Sequence, residues 1–163
     1  VDSIPSRDWN EVERQISICS RSQGSPCLPT IQFKLNYQLA KFNYRRMRDD
    51  QALHRIDKAL AIIELDTVDS QKVVFGRHLK ASILVELGQR NEAIKLLQHN
   101  LQQTSVHKGS YALLGSILVE QAEFIEAILI LEQGQLNFPH DNSLSYWLNE
   151  AYEGSALLES EWD

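Results

Sequence analysis

Residues 74–141 hold the feature that most restricts the fold, because small and large apolar side chains recur in them 34 residues apart. The matched positions are Ala81 with Gly115, Leu84 with Leu118, Ala93 with Ala127 and Leu97 with Leu131. Each half reads as two short amphipathic helices joined by a tight turn. One such pair cannot bury its apolar face alone, so the pattern predicts helix pairs that stack on one another.

Apolar residues at spacings of three and four predict helices along the rest of the chain. The expected helices cover about 8–20, 30–47, 51–65, 72–87, 91–103, 108–121 and 124–137, with a last one from Asn142 or Ser143. Met47 is expected to be an apolar position of the second helix, followed by a turn around Asp49 and Asp50. The tail from Gly154 either extends the last helix or frays. No stretch alternates convincingly with period two, so we expect an all-α chain.

This pattern resembles the tetratricopeptide repeat (TPR) family. The small, bulky and closing positions of the family fall in 108–141 on Gly115, Ala127, Leu131, Gly134 and Pro139. The turn glycine is replaced by Ala122. Segment 74–107 matches less fully, and 33–66 only loosely.

The resemblance implies one domain over residues 1–163, built from antiparallel helix pairs stacked as a right-handed superhelix. It implies the following parts: an N-terminal capping helix at 8–20, repeats at 33–66, 74–107 and 108–141, and a C-terminal capping helix at 142–154.

The charge of the chain argues against nucleic acid as a partner. A net charge of -6 and a pI of about 5.4 disfavour direct nucleic-acid binding, which requires a positive surface. The charge is uneven: residues 108–163 hold one basic and ten acidic residues, whereas 1–107 hold 15 basic and 12 acidic ones. No apolar run approaches the roughly 20 residues that span a bilayer. The start at Val1, without a signal-peptide pattern, leads us to expect a fragment or a processed chain.

No catalytic motif is present in the sequence. A Gly-rich phosphate loop, a nucleophile elbow and an HExxH pair are all missing, and the five histidines are scattered. Glu123 and Glu126 lie one turn apart, which is more typical of a solvated helix face than of paired catalytic carboxylates. We therefore expect no enzymatic activity, no cofactor and no metal site.

Cys19 and Cys27 are the only two cysteines, and Gly24 and Pro26 lie between them. The loop between them can fold back, so a disulfide is geometrically feasible, and two free thiols are the alternative. A disulfide would indicate an oxidising compartment such as the bacterial periplasm, and free thiols would suit the cytoplasm.

TPR-like arrays resemble curved scaffolds whose first helices line a groove for a peptide or a partner protein. Carried over to this sequence, the groove residues are Lys34, Tyr37, Lys41, Tyr44, Arg45, Phe75, His78, Ser82, Val85, Glu86, Gly109, Ala112, Ser116, Val119, Glu120, Tyr146 and Glu150. The basic, aromatic end of this set suits a partner with an acidic segment. The alternative is that these residues are ordinary solvated helix positions.

The leading functional hypothesis is a non-enzymatic scaffold for protein–protein interaction, for example in a bacterial envelope assembly or secretion system. The alternative is a regulatory or sensor domain of a larger protein such as a transcriptional activator. Weak self-association through Leu157, Leu158 and Trp162 in the tail is a further expectation.

Overall fold

The computed structural model of the protein describes residues 9–21, 29–62, 70–103 and 107–160. Eight helices are present in these ranges, and none of the described residues lies in a strand. The helices are α1 (Trp9–Arg21), α2 (Pro29–Tyr44), α3 (Asp49–Ala61), α4 (Ser70–Glu86), α5 (Arg90–Leu101), α6 (Lys108–Glu120), α7 (Phe124–Asn137) and α8 (Asn142–Ser160). The all-α expectation is confirmed. The superhelical stacking stays a prediction.

The chain divides into two compact units, an N-terminal unit of Val1–Leu87 and a C-terminal unit of Gly88–Asp163. The division falls between the two helices of the expected repeat 74–107. The single domain implied by the TPR resemblance therefore also stays a prediction.

Helices α2, α3 and α4 form the core of the N-terminal unit. A short turn at 45–48 folds α3 back on α2. An ion pair of 2.7 Å joins Lys80 on α4 to Asp57 on α3, and the backbone of Gly76 lies against Leu60, so α3 and α4 are also antiparallel. The core residues of this unit are Phe33, Ala40, Ala52, Ile56, Ala59, Leu79 and Ile83. Three of them are alanines, whose small side chains let neighbouring helices approach closely.

Helices α5 to α8 form the C-terminal unit. Side-chain hydrogen bonds join Asn100 to Ser110 and Arg90 to Glu120, both at 3.3 Å, so α5 and α6 run antiparallel. Gly115 lets α6 and α7 approach closely, because a Cβ at this position would lie 2.4 Å from Cδ2 of Leu131. Helix α8 packs on α6 and on α7.

Three turns between helices contain a residue with positive φ: Met47 (55°), Gly88 (75°) and Ala122 (59°). Gly88 and Ala122 are 34 residues apart, and Met47 holds the same place in the looser pair. The prediction that Met47 is an apolar position of α2 was wrong, because α2 ends at Tyr44 and Met47 is 90% exposed. The expected turn at Asp49 and Asp50 is also displaced. These two acidic residues begin α3, where the helix dipole favours negative charge.

The last helix continues beyond the end expected for the capping helix. It runs to Ser160 rather than ending at residue 154. Gly154 lies within this helix and has a packing role. Its missing side chain makes room for Phe124 of α7, whose Cε1 would lie 2.2 Å from a Cβ at this position. Among the helices described, none has both the length and the apolar character needed to cross a membrane.

Candidate functional site

A cavity of about 390 Å³ opens between α2 and α4 of the N-terminal unit. Its lining combines apolar, polar and basic side chains: Thr30, Ile31, Phe33, Lys34, Tyr37, Gln38, Lys72 and Phe75. None of these eight residues is acidic. We call this feature the α2–α4 cavity.

The packing of α3 explains why the cavity lies between α2 and α4. Since α3 is antiparallel to both helices, α2 and α4 run in the same direction and their first turns lie on the same side. Gly76 lets α4 pack closely on α3, because a Cβ there would lie 2.9 Å from Leu60, and it faces Phe33 of α2 at an ordinary contact distance of 3.4 Å. Phe33 is only 3% exposed and forms the floor of the cavity, whereas Phe75 is 38% exposed in its wall.

An aromatic stack continues along α2 from the cavity floor. The rings of Phe33 and Tyr37 are parallel within 9°, with centroids 5.9 Å apart. The ammonium group of Lys41 lies 5.8 Å from the centroid of the Tyr37 ring, within reach of a cation–π interaction. Burial raises the pKa of the Tyr37 hydroxyl, so this group stays neutral and can donate a hydrogen bond at physiological pH.

The charge of the cavity favours an anionic ligand. Lys34 is exposed in the wall on α2, and Lys72 is exposed in the wall on α4. Thr30 and Lys72 belong to the first turns of their helices, where the macrodipole adds positive potential.

The structure places the expected groove residues of α2 in two groups. Lys34 and Tyr37 line the cavity, and Lys41 lies over the Tyr37 ring. Tyr44 packs against the core at the end of α2, where burial, followed by the charges of Glu86 and Asp49, raises its pKa. Arg45 is exposed in the turn after α2. Neither Tyr44 nor Arg45 lines the cavity.

The expected groove residues beyond α2 do not join this site, except for Phe75. His78 and Ser82 lie further along α4, and the Ser82 hydroxyl donates a hydrogen bond of 3.1 Å to the His78 carbonyl. In the C-terminal unit, Ser116 is buried and donates to the Leu113 carbonyl at 2.9 Å. Tyr146 is 55% exposed on α8 and contacts Trp147 edge-to-face.

Five lining residues were not among the expected groove positions: Thr30, Ile31, Phe33, Gln38 and Lys72. Lys72 precedes the expected repeat at 74–107, although the expected helix from about 72 already included it. Ile31 was assigned to the apolar stripe of α2, yet it is 45% exposed at the cavity. The helical periodicity identified both residues as helical but not the surface that they line.

The cysteine prediction falls outside the described part of the structure. Cys27 lies in the range 22–28, and the side chain of Cys19 is likewise outside it. The choice between a disulfide and two thiols therefore stays a prediction. Among the described side chains, no group of three or more His, Cys, Asp or Glu residues is arranged to hold a metal ion.

No protein-family model matches this chain, and no curated protein matches its sequence. In fold, the chain is similar to a chain in the cryo-EM structure of the Sec complex from S. cerevisiae. The TM-score is 0.66 at 16% sequence identity, and the match covers 97% of this chain and 90% of that chain. At this identity the similarity concerns the fold alone.

Proposed function

We propose that this chain is a non-enzymatic, TPR-like module for protein–protein interaction, and that the α2–α4 cavity binds an acidic segment of a partner protein. The observation that carries the proposal is the composition of the cavity: its lining, among the residues that the structure describes, contains two lysines and no carboxylate around an aromatic floor. A solvated helix surface of ordinary composition has no such floor. The arrangement provides both an apolar contact and an electrostatic one.

The size of the cavity suits part of a peptide. Its volume of about 390 Å³ lies near the lower end of the range for ligand sites, enough for one large side chain with its backbone. An apolar side chain of the partner packs on Phe33 and Phe75. An adjacent aspartate or glutamate pairs with Lys34, and Gln38 can hydrogen-bond to the peptide backbone.

Two further observations support a scaffold role. The 34-residue pattern resembles the TPR family, whose members usually hold peptides or proteins. One structural neighbour is a chain of a multiprotein complex, the Sec complex. We take an assembly related to secretion or to the cell envelope as the proposed context.

A charge reversal at the cavity wall tests this function. The probe is a set of fluorescent peptides that combine one phenylalanine with two aspartates, measured by fluorescence anisotropy against the full chain. Lys34→Glu should weaken binding at least tenfold, about 1.4 kcal/mol, because it replaces attraction by repulsion. The matched control is Lys58→Glu on the exposed surface of α3, which should leave the affinity unchanged.

The same measurement includes a second charge reversal. Reversing both Lys41 and Arg45 should weaken binding less than Lys34→Glu, since neither residue lines the cavity. Far-UV circular dichroism should show the same helix content in all variants. Peptides that bind equally well to the wild type and to Lys34→Glu would refute the proposed site.

A further inference from the structure

An apolar stripe lies on the exposed face of α7 in the C-terminal unit. Ile125, Leu129 and Leu136 are 67%, 62% and 85% exposed. Their spacings of four and seven residues place them on one side of the helix, along about 16 Å of its length. The buried residues Ala127 and Leu131 face the core instead. The stripe is therefore an additional apolar face that the core of the unit does not use.

A second cavity continues the stripe at its C-terminal end. It has a volume of about 580 Å³, opens between α7 and α8, and is lined by Glu132, Gln135, Leu136, Pro139, Leu148 and Tyr152. Leu136 belongs both to the stripe and to the cavity. The Tyr152 hydroxyl donates a hydrogen bond of 2.5 Å to Oε1 of Glu132, which fixes this carboxylate at the cavity.

The surroundings of this surface are acidic. Glu123 precedes α7, and Glu126 and Glu132 lie on it, all three exposed. The sequence from residue 109 to the end contains no lysine or arginine. Single exposed apolar residues are common on proteins, but several grouped on one helix face with a charged rim are typical of an interaction surface. Glu132 lies on this face, between Leu129 and Leu136.

We propose that the α7 stripe and the adjoining cavity bind an amphipathic helix of a partner protein that carries basic residues beside its apolar stripe. Ridges of side chains four residues apart pack well into the grooves of another helix, which favours a helical partner. A lysine or arginine of that helix enters the α7–α8 cavity. Its methylene stem packs on Leu136 and Leu148, and its charged group pairs with Glu132.

Charge also argues against a second copy of this chain as the occupant. A symmetric contact of two α7 faces would place Glu126 and Glu132 of one chain close to the same residues of the other. Like charges in such a contact oppose association. A basic helix instead neutralises the rim. This surface uses only the C-terminal unit, so the inference does not depend on the ligand of the α2–α4 cavity.

Two synthetic helical peptides test the inference with the full chain. They share leucines at positions i, i+4 and i+11 and differ only in their flanking residues, which are lysine and arginine in one peptide and glutamate in the other. The basic peptide should bind in fluorescence anisotropy at least ten times more tightly than the acidic one. Leu129→Ser and Glu132→Gln should each weaken the binding of the basic peptide several-fold. The difference in affinity between the basic and the acidic peptide should decrease as salt is added.

The matched control is Met47→Ser, which removes an even more exposed apolar side chain from the N-terminal unit and should leave binding unchanged. Failure of the basic peptide to bind, or equal affinity for both peptides, would overturn the proposal. Sedimentation of the chain alone supplies the other refuting outcome. A dimer that Leu129→Ser dissociates would identify a second copy as the occupant.

Discussion

Replacing Gly115 by alanine tests the closest helix contact of the C-terminal unit. An added Cβ would lie 2.4 Å from Cδ2, 2.5 Å from Cγ and 2.8 Å from Cδ1 of Leu131. Carbon atoms in good contact are about 3.5–4.0 Å apart, so all three distances are repulsive. Leu131 has no exposed surface and cannot turn outward to relieve the overlap.

Two opposing effects determine the size of the change in stability. Overpacking a core typically costs about 1–3 kcal/mol, and three contacts below 3 Å place this site near the upper end. Alanine in place of glycine within a helix contributes about 1 kcal/mol in the opposite direction. We therefore expect Gly115→Ala to lower the free energy of unfolding by about 2 kcal/mol.

The decisive measurement repeats the substitution in a second background. Leu131→Ala removes all three atoms that the new Cβ would meet, and by itself costs about 2–5 kcal/mol through the lost packing. In that background Gly115→Ala has no overlap left, so only the helix preference remains and the change becomes stabilising by up to about 1 kcal/mol. Urea titrations followed by circular dichroism give the four stabilities of this double-mutant cycle.

Gly88→Ala serves as the control for the glycine substitution itself. Nothing lies within 4 Å of its added Cβ, but its φ of 75° is unfavourable for alanine. It should cost about 1 kcal/mol whether or not Leu131 is present. If Gly115→Ala destabilises the protein equally in both backgrounds, the close contact with Leu131 is not the reason for the glycine.

Three further predictions follow from particular residues. Ala122→Gly should raise the free energy of unfolding by about 0.5–1 kcal/mol, and with it the urea midpoint, because glycine tolerates the φ of 59° at that turn. Lys108, and then the amides of Leu144 and Ser143, lower the pKa of Asp141. The ionised carboxylate of Asp141 therefore stabilises the fold fully above the unfolded pKa near 4, and this stabilisation is lost as the pH falls through the lower folded pKa. Asp141→Ala should lower the free energy of unfolding by about 1 kcal/mol at neutral pH and flatten the acid end of the curve of stability against pH. Burial, followed by the charge of Lys108, lowers the pKa of His107, so its neutral ring stabilises the fold above about pH 6.5 and less as the pH falls. An NMR titration of its ring should give a midpoint below 6.5, and a higher midpoint would contradict the burial argument.

The helices could be predicted from the sequence because their signals are local. Apolar spacing, helix-breaking residues and the 34-residue pattern placed α4 to α7 within two residues of their observed ends. The same pattern marked Gly115 as a small position and Leu131 as a bulky one, but only the structure shows that the two are in contact. The error at Met47, and the end of α8 that the sequence left open, both lie where the chain departs from local preference. One residue adopts a left-handed conformation without being glycine, and one glycine fills a packing role within a helix.

The candidate site was only partly predictable. Lys34, Tyr37 and Phe75 were expected groove residues and do line one cavity. Lys72 and Gln38 join them because of how α4 packs beside α2, which depends on the contact of Gly76 with Leu60 and Phe33. Gly76 and Phe33 are 43 positions apart in sequence, and helical periodicity carries no information about a contact between them.

The sequence by itself determined that the chain is helical, where most helices begin and end, and which residues are apolar. It did not determine which apolar residues are buried. Ile31 and Phe33 are two positions apart on α2, yet one is 45% exposed at a cavity and the other is 3% exposed at its floor. Leu129 and Leu131 on α7 differ in the same way, at 62% and 0%. A helix is stabilised by hydrogen bonds between residues four apart, whereas burial depends on which distant helices cover each face, so only the tertiary structure decided which surfaces remain available to partners.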